Sequence, residues 1–417
     1  MKNLKFFLAF IIFLFLGKNN CISQSDTLST TQIPNAPNLF ILCSYCDLDY
    51  IRREISLMNY VRHPDEADLK ILITTKGTAS GGDEYNIIFE GNDSLKNRKD
   101  TLNYISKMND SEDLVRKGLV KKIKLGLIPY IANSQLSDYI NIDFKKKEGE
   151  ETKPEDNWDY WIFSLGAYGY FSGEKSSNST SLWGSLSARR ITEELKFELS
   201  YDYSYYEDNF SYDDLSVQSI SRSNSIDLEF VKSIDDHLSV GFFGVANRSS
   251  YYNTDLSTKI LAGVEYNFFP YSQSSNREFS FKYLIGYQYY KYYEETIYDK
   301  EQENLGTHKA SITYLIKDTW GSISTTLSYS NYLNDFSKKN LNIYSDFSIY
   351  LFSGLSLNLR GSFSMVHDQI YLPKGGADPE EVLLRRKAIS TNYRYYTSIG
   401  LTYSFGSIYN NVVNTRF

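Results

Sequence analysis

Past residue 16 the chain has no run approaching the ~20 consecutive apolar residues that a membrane-spanning helix needs, and its mean hydropathy is −0.41. A helical membrane protein is therefore excluded. Histidine is scarce, at 4 residues, and none is paired at ligand spacing. A zinc centre or a Ser-His-Asp triad has little to draw on. Cysteine is limited to 3 residues, too few for a disulfide-held scaffold. An excess of positive charge is also missing, since 44 Lys+Arg against 51 Asp+Glu leave a net −7. That balance argues against nucleic acid as a partner. No catalytic, cofactor-binding or metal-binding residue is assigned, and neither a cofactor nor an enzymatic activity is expected.

What the chain has in quantity is tyrosine, 37 of its 417 residues, and alternation. In 195–205, Leu195, Phe197, Leu199, Tyr201, Tyr203 and Tyr205 fall on one side of a strand. Lys196, Glu198, Ser200, Asp202 and Ser204 fall on the other. Successive strand residues point to opposite faces, so this is one apolar wall and one polar wall. The same code recurs at Phe279, Phe281, Tyr283 and Ile285, at Leu355, Leu357 and Leu359, and at Ile399, Leu401, Tyr403 and Phe405. Twelve strands are predicted, over 160–172, 181–191, 194–206, 217–232, 237–249, 256–268, 279–292, 305–316, 320–331, 341–352, 355–369 and 392–406.

All of these exceed the ~5–6 residues usual in soluble sheets and reach the ~9–11 that a tilted membrane-crossing strand needs. Their connections alternate between tight turns (192–193, 233–236, 317–319, 353–354) and longer polar stretches (207–216, 293–304, 332–340, 370–391). Tyrosine doublets crowd strand ends, at Tyr205-Tyr206, Tyr289-Tyr290 and Tyr395-Tyr396, where amphipathic rings would sit at headgroup level. The expected fold is α+β multidomain: a transmembrane antiparallel β-barrel of about twelve strands, preceded by a small periplasmic α/β domain.

The boundaries read as a signal peptide over 1–23, a mature N-terminal linker over 24–36 and an α/β domain over 37–135. A charged linker follows over 136–157, then the barrel over 158–406 and a tail over 407–417. In the α/β domain the spacing predicts the order β-α-β-β-α. Asp47 caps a helix with Leu48, Ile51, Ile55 and Met58 on its inner face. Ser111 caps a second with Val115, Leu119, Ile123 and Leu127.

By phase, eleven charges face the lumen: Lys196, Glu198, Asp202, Asp227, Glu229, Glu265, Lys282, Lys309, Asp346, Arg360 and Arg394. Six acids nearly balance five bases, which favours a narrow lumen bridged by its own side chains over a wide wet pore. Cys43 and Cys46 are a candidate disulfide. A Cys-x-x-Cys between a strand and a helix also suits redox chemistry, but no Trp precedes the pair and no Pro stands before the strand at Leu69. Gly77 to Gly82 lacks the Gly-Lys-Ser/Thr ending of a phosphate loop and reads as a hairpin tip. Arg116, Lys117, Lys121, Lys122 and Lys124 form a basic helix face, either solvated or docking an anionic lipid or polymer. The longest connection carries Asp378-Pro379 followed by acids, Val382, Leu383 and Leu384, then bases. It predicts a short helix folded over or into the barrel mouth.

The segment Gly400-Leu401-Thr402-Tyr403-Ser404-Phe405 resembles the terminal assembly signal of outer-membrane proteins. Gly400, Tyr403 and Phe405 would be its key positions, with the barrel-assembly machinery as the implied partner. The chain beyond its signal peptide resembles an uncharacterised family of Gram-negative outer-membrane β-barrel proteins with an N-terminal periplasmic domain. That resemblance implies an outer-membrane location and lipid contact, but no activity. His237-Leu238-Ser239 resembles the His-x-Ser of the outer-membrane phospholipase, but lies at the opposite end of the barrel from that enzyme's site. The expected role is a channel or a transport or assembly component, with a periplasmic protein or polymer as a partner of residues 37–135. The alternatives are a closed barrel anchor displaying loops and, third, an outer-membrane enzyme.

Overall fold

The computed structural model describes residues 33–78, 81–92, 95, 98–132, 134–141, 158–212, 215–352, 354–376 and 387–406. The signal-peptide and tail readings, most of both linkers and most of the stretch expected to form a helix from Asp378 lie outside the described residues; where the linkers are described, at 33–36 and 136–141, Leu136 is buried in the α/β core and Ile33, Ala36 and Ile140 pack against it.

The first part builds one mixed sheet. Its elements are β1 (Asn38–Cys43), α1 (Leu48–Glu54), β2 (Asn59–Tyr60), β3 (Leu69–Gly77), β4 (Asp83–Gly91), β5 (Lys99–Ile105) and α2 (Glu112–Ile131). The strand order is β2-β1-β3-β4-β5, with β1 parallel to both β2 and β3 and the remaining pairs antiparallel. Both caps form: Asp47 Oδ1 accepts from the Tyr50 amide at 2.8 Å, and Ser111 Oγ from that of Leu114 at 3.3 Å. Ile51, Ile55 and Met58 join Leu119, Ile123, Leu127, Ile71, Ile87 and Phe89 in one buried core. Val115 and Leu48 pack only at its margin.

The expected order misses two strands. β2 has two residues, too few to show any period. β5 is an edge strand whose residues are mostly exposed, so its place is set by backbone pairing with β4 rather than by an apolar face.

The second part is a twelve-stranded meander. Its strands are β6 (Trp161–Gly173), β7 (Ser177–Ile191), β8 (Leu195–Tyr212), β9 (Leu215–Ser233), β10 (Leu238–Ser249) and β11 (Thr254–Asn267). They continue as β12 (Arg277–Tyr292), β13 (Gln302–Asp318), β14 (Gly321–Tyr332), β15 (Asp335–Phe352), β16 (Leu355–Val366) and β17 (Tyr393–Tyr403). Each pairs antiparallel with the next, and β6 and β17 are the two edges. The strand number and direction agree with the alternation. Closure does not appear: among the described residues the sheet is open, and β17 is exposed along its length. Each hairpin register is local, whereas closure asks the first strand to meet the last, which no alternation encodes.

Two of the expected long loops are also strand. Residues 207–212 extend β8, and most of 332–340 lies in β15. Glu207, Asp208 and Asn209 pair with Ile220, Ser219 and Gln218 through the backbone. Polar side chains on both faces hid a ladder that continues past the apolar band. The longer connections that remain are 293–301 and 367–392.

The α/β part sits against the end of the sheet that carries the tight turns. The Phe40 and His63 rings meet Tyr350 edge-on at 6.0 and 5.5 Å. Lys76 Nζ donates to Ser274 Oγ at 3.2 Å, in the turn between β11 and β12.

Helix α2 approaches its sheet through glycine. A Cβ on Gly126 would lie 2.0 Å from the Phe89 ring, whereas one on Gly77 would meet nothing within 4 Å. Gly126→Ala should destabilise this part by about 1–3 kcal/mol through overpacking, despite a helix-propensity gain of about 1 kcal/mol. Limited trypsinolysis of the full chain should cut residues 33–141 faster in Gly126→Ala and at the parental rate in Gly77→Ala. Equal rates would contradict the close packing.

Candidate functional site

The register settles which side chains share a face. Glu198 stands opposite Glu229, Glu229 opposite Phe243, and Phe243 opposite Leu261. Glu265 faces Lys282, Lys282 faces Ser311, and Asp346 faces Arg360. Followed strand by strand, all eleven charges expected in the lumen lie on one face. The same face also holds cations absent from that set, among them Arg189 opposite Glu198, Lys259 opposite Gln288 and Lys317 opposite Ser322. Arg189 is followed by Arg190, so its phase is ambiguous in the sequence. Lys259 was legible from the outward Ile260, Ala262 and Val264.

Exposure is inverted relative to a soluble sheet. On the apolar face Ile260 is 55% and Tyr287 52% exposed, while on the polar face Ser257 and Gln288 are each 3% exposed.

Several of the charges neutralise one another. Lys196 Nζ lies 2.7 Å from Glu229 and 4.0 Å from Glu198, bridging two carboxylates that face each other. Lys282 meets Glu265 at 2.7 Å, and Arg360 meets Asp346 at 2.6 Å. Asp227 accepts from Ser225 Oγ at 2.9 Å. Asp202, Asp227, Lys309 and Arg394 make no ion pair among the described residues. At the tight-turn end, Tyr271 Oη reaches Ser239 Oγ at 2.5 Å and Glu265 at 3.3 Å. Lys76 and Gly77, at the β3–β4 hairpin, border the same hollow of about 500 Å³ as Lys196, Glu229 and Lys282.

At the other end, residues 367–376 fold inward. Ile370, 3% exposed, packs on Leu305, Tyr332 and Tyr290, all on the polar face. Asn253, in the left-handed region at φ 49°, ties this segment down. Its Nδ2 donates to the Glu294 carbonyl at 2.9 Å and the Tyr371 carbonyl at 3.1 Å, and its Oδ1 accepts from the Glu294 amide at 2.8 Å. The Ile297 amide donates to the Leu372 carbonyl, and the Lys374 amide to that of Glu295, both at 2.8 Å. Lys374 also pairs with Glu295 and Asp299, which hold its ammonium above the usual lysine range. The stretch expected to carry a helix lies outside the described residues; the segment before it, 367–376, is the part seen packed on the polar face.

The remaining candidates separate. Cys43 and Cys46 form a disulfide, and Asp47 beside it is held below the usual carboxylate range by the Tyr50 amide and by Arg116. Gly81, at φ +78°, turns the β3–β4 hairpin, as expected. The basic face of α2 is partly neutralised. Arg116 pairs with Asp113 and Asp47 and covers the Tyr50 ring, Lys117 pairs with Asp113, and Lys124 pairs with Glu54. His237 and Ser239 do not meet: His237 Nδ1 contacts the Asn267 carbonyl at 2.7 Å, and Ser239 turns to Tyr271. Gly400 lies opposite Asn358 in edge strand β17, and the Tyr403 and Phe405 rings stack at its end. Among the described residues, no group of three His, Cys, Asp or Glu could hold a metal.

Residues 165–368, from within β6 to just past β16, match the profile of a family described as "Protein of unknown function, DUF481". The resemblance to an uncharacterised family therefore stands for most of the sheet. No curated protein matches the chain. Similar solved structures include the NanC porin, at 10% identity, TM-score 0.28, and coverage of 58% of this chain and 100% of that one. The CymD monoaromatic hydrocarbon channel has 10% identity, TM-score 0.28, and coverage of 59% and 80%. CdiB from Acinetobacter baumannii has 8% identity, TM-score 0.28, and coverage of 89% and 74%.

Asn253→Ala removes one hydrogen bond to the inserted segment, at the Tyr371 carbonyl, and two to Glu294 in the 293–301 connection that frames it. Leaving buried backbone groups unpaired costs about 1–3 kcal/mol each. Trypsin should then cut after Lys374 several-fold faster than in the parent; an unchanged rate would show that Asn253 is not the latch.

Proposed function

We propose that the twelve-stranded sheet is the wall of an outer-membrane β-barrel, with its polar face as lumen and its apolar face toward lipid. The α/β domain then lies in the periplasm against the tight-turn mouth. The protein acts as a channel, or as a transport or assembly component, whose lumen is restricted at both ends. The inverted exposure carries this reading, because polar side chains crowd the covered face while isoleucine, leucine and tyrosine cover the open one. In water that arrangement would leave a large apolar surface uncovered; in a bilayer it is the stable one. Strands of 11 to 19 residues are long enough to cross.

Hydrocarbon leaves no partner for unpaired backbone groups, so the edges β6 and β17 must pair with each other once inserted. Gly400 and Tyr403 on the last strand, with Phe405 just past its end, suit a handle for the barrel-assembly machinery. The ion-paired wall and the latched segment 367–376 favour one second reading, a closed barrel that anchors the periplasmic domain.

A lysine on the lipid face, Leu199→Lys or Leu357→Lys, should cost about 2–4 kcal/mol near the midplane. Ser200→Lys on the polar face should cost far less. Heat-modifiable folded protein in outer-membrane fractions measures both, and equal losses would end the assignment of faces. Planar-bilayer conductance separates the two roles. A channel restricted by its inserted segment conducts weakly as the parent and strongly after deletion of 374–387. A closed anchor stays silent in both.

A further inference from the structure

Between the ion-paired charges and the inserted segment, the polar face encloses a hollow of about 430 Å³. Lys259, Lys309, Gln288, Thr307, Asn340 and Asn342 line it. The two lysines reach it from different strands: Lys259 stands opposite Gln288, and Lys309 opposite Ser330, itself opposite Asn340. Neither joins an ion pair among the described residues, unlike Lys196 and Lys282 on the same face. Lys259 is within electrostatic reach of Lys309 and of one acid, Asp368 on the inserted segment. Asp368 accepts from Asn340 Nδ2, on the wall of the same hollow, at 3.1 Å. The hollow therefore holds two cations against one anion.

Gln288 adds a second, independent feature. It is 3% exposed; its Nε2 donates to Ser257 Oγ at 3.2 Å, and its Oε1 has no protein partner. A buried amide oxygen left unpaired carries an uncompensated desolvation cost. Turned over, the same side chain accepts from the Ser257 hydroxyl and offers its NH₂ group to a guest. Apart from Leu261 and His308, the other lining groups are hydroxyls and amides, and the volume equals roughly fourteen waters at ~30 Å³ each.

We propose that this hollow is a binding site for a small, polyhydroxylated organic anion. Lys259 and Lys309 take its charged group, and Gln288, Thr307, Asn340 and Asn342 take its hydroxyls. Two ammonium groups sharing one low-dielectric space repel each other, and an anion between them relieves that repulsion. Lysine rings select anions in pores by the same means. The proposal rests on the polar face being a lumen, so binding is measured separately from conduction.

The test is calorimetric titration of the detergent-solubilised full chain with gluconate and with sorbitol, its neutral counterpart. Gluconate should bind at least tenfold more tightly than sorbitol. Lys259→Gln with Lys309→Gln should weaken gluconate at least tenfold, Lys259→Arg with Lys309→Arg should retain it, and Lys282→Gln should leave it unchanged. Asp368→Asn, which removes the resident anion, should tighten gluconate several-fold, and it decides the matter if the double glutamine variant does not fold. Gluconate no tighter than sorbitol, indifference to the double glutamine variant, or no gain from Asp368→Asn would overturn the site. Binding without conductance in either the parent or the 374–387 deletion would overturn the channel reading alone. Conductance without gluconate binding would overturn this site alone.

Discussion

In an antiparallel ladder every internal N–H and C=O answers a neighbouring strand, and each residue's face follows from its parity. That constraint organises most of this molecule. Once Glu198 is paired with Glu229 and Asp346 with Arg360, every other side chain in the sheet is assigned to one wall or the other. The polar wall then crowds charges together, and proximity forces them to pair: Lys196 lies between two facing glutamates, and Lys282 lies on Glu265. Exposed pairs of this kind are worth ~0–1 kcal/mol. Where water screens them less, such pairs hold the wall's geometry more firmly. The same ladder leaves β6 and β17 with unpaired edges, the one place where the described structure needs something more.

The two ends of the polar face are treated differently. At the tight-turn end the α/β domain supplies Lys76 and Gly77 to the hollow, and its own surface stacks Phe40 and His63 on Tyr350. At the far end the chain closes on itself, with Ile370 on Leu305 and Tyr332 and with Asn253 holding the backbone. One closure comes from a separately folded domain and the other from a connection between strands. Their stabilities can therefore be altered independently, because additivity holds for sites that share no partners.

The α/β domain shows how far local pattern reaches. Capping by Asp47 and Ser111 and the inner faces of both helices were legible, because helical period and capping chemistry are short-range. Strands β2 and β5 were not. One is too short to carry a period, and the other contributes backbone pairing with little apolar burial. The basic face of α2 looked continuous in one dimension, yet Asp47 and Glu54 from the α1 region neutralise part of it.

By itself the sequence determined the twelve strands, their antiparallel order and the face of all eleven assigned charges, because alternation is a property of neighbouring residues. The apolar cluster it placed in the last long connection, Val382 to Leu384, lies outside the described residues. Only the tertiary structure decided which charges meet, that β8, β9 and β15 run on beyond the apolar band, and that the sheet's edges stand open. It alone placed Lys259 and Lys309 around one hollow with Gln288 between strands. Those facts depend on register across distant strands and on where an inserted segment comes to rest. Distances of that kind are set by packing and backbone pairing, and no local spacing records them.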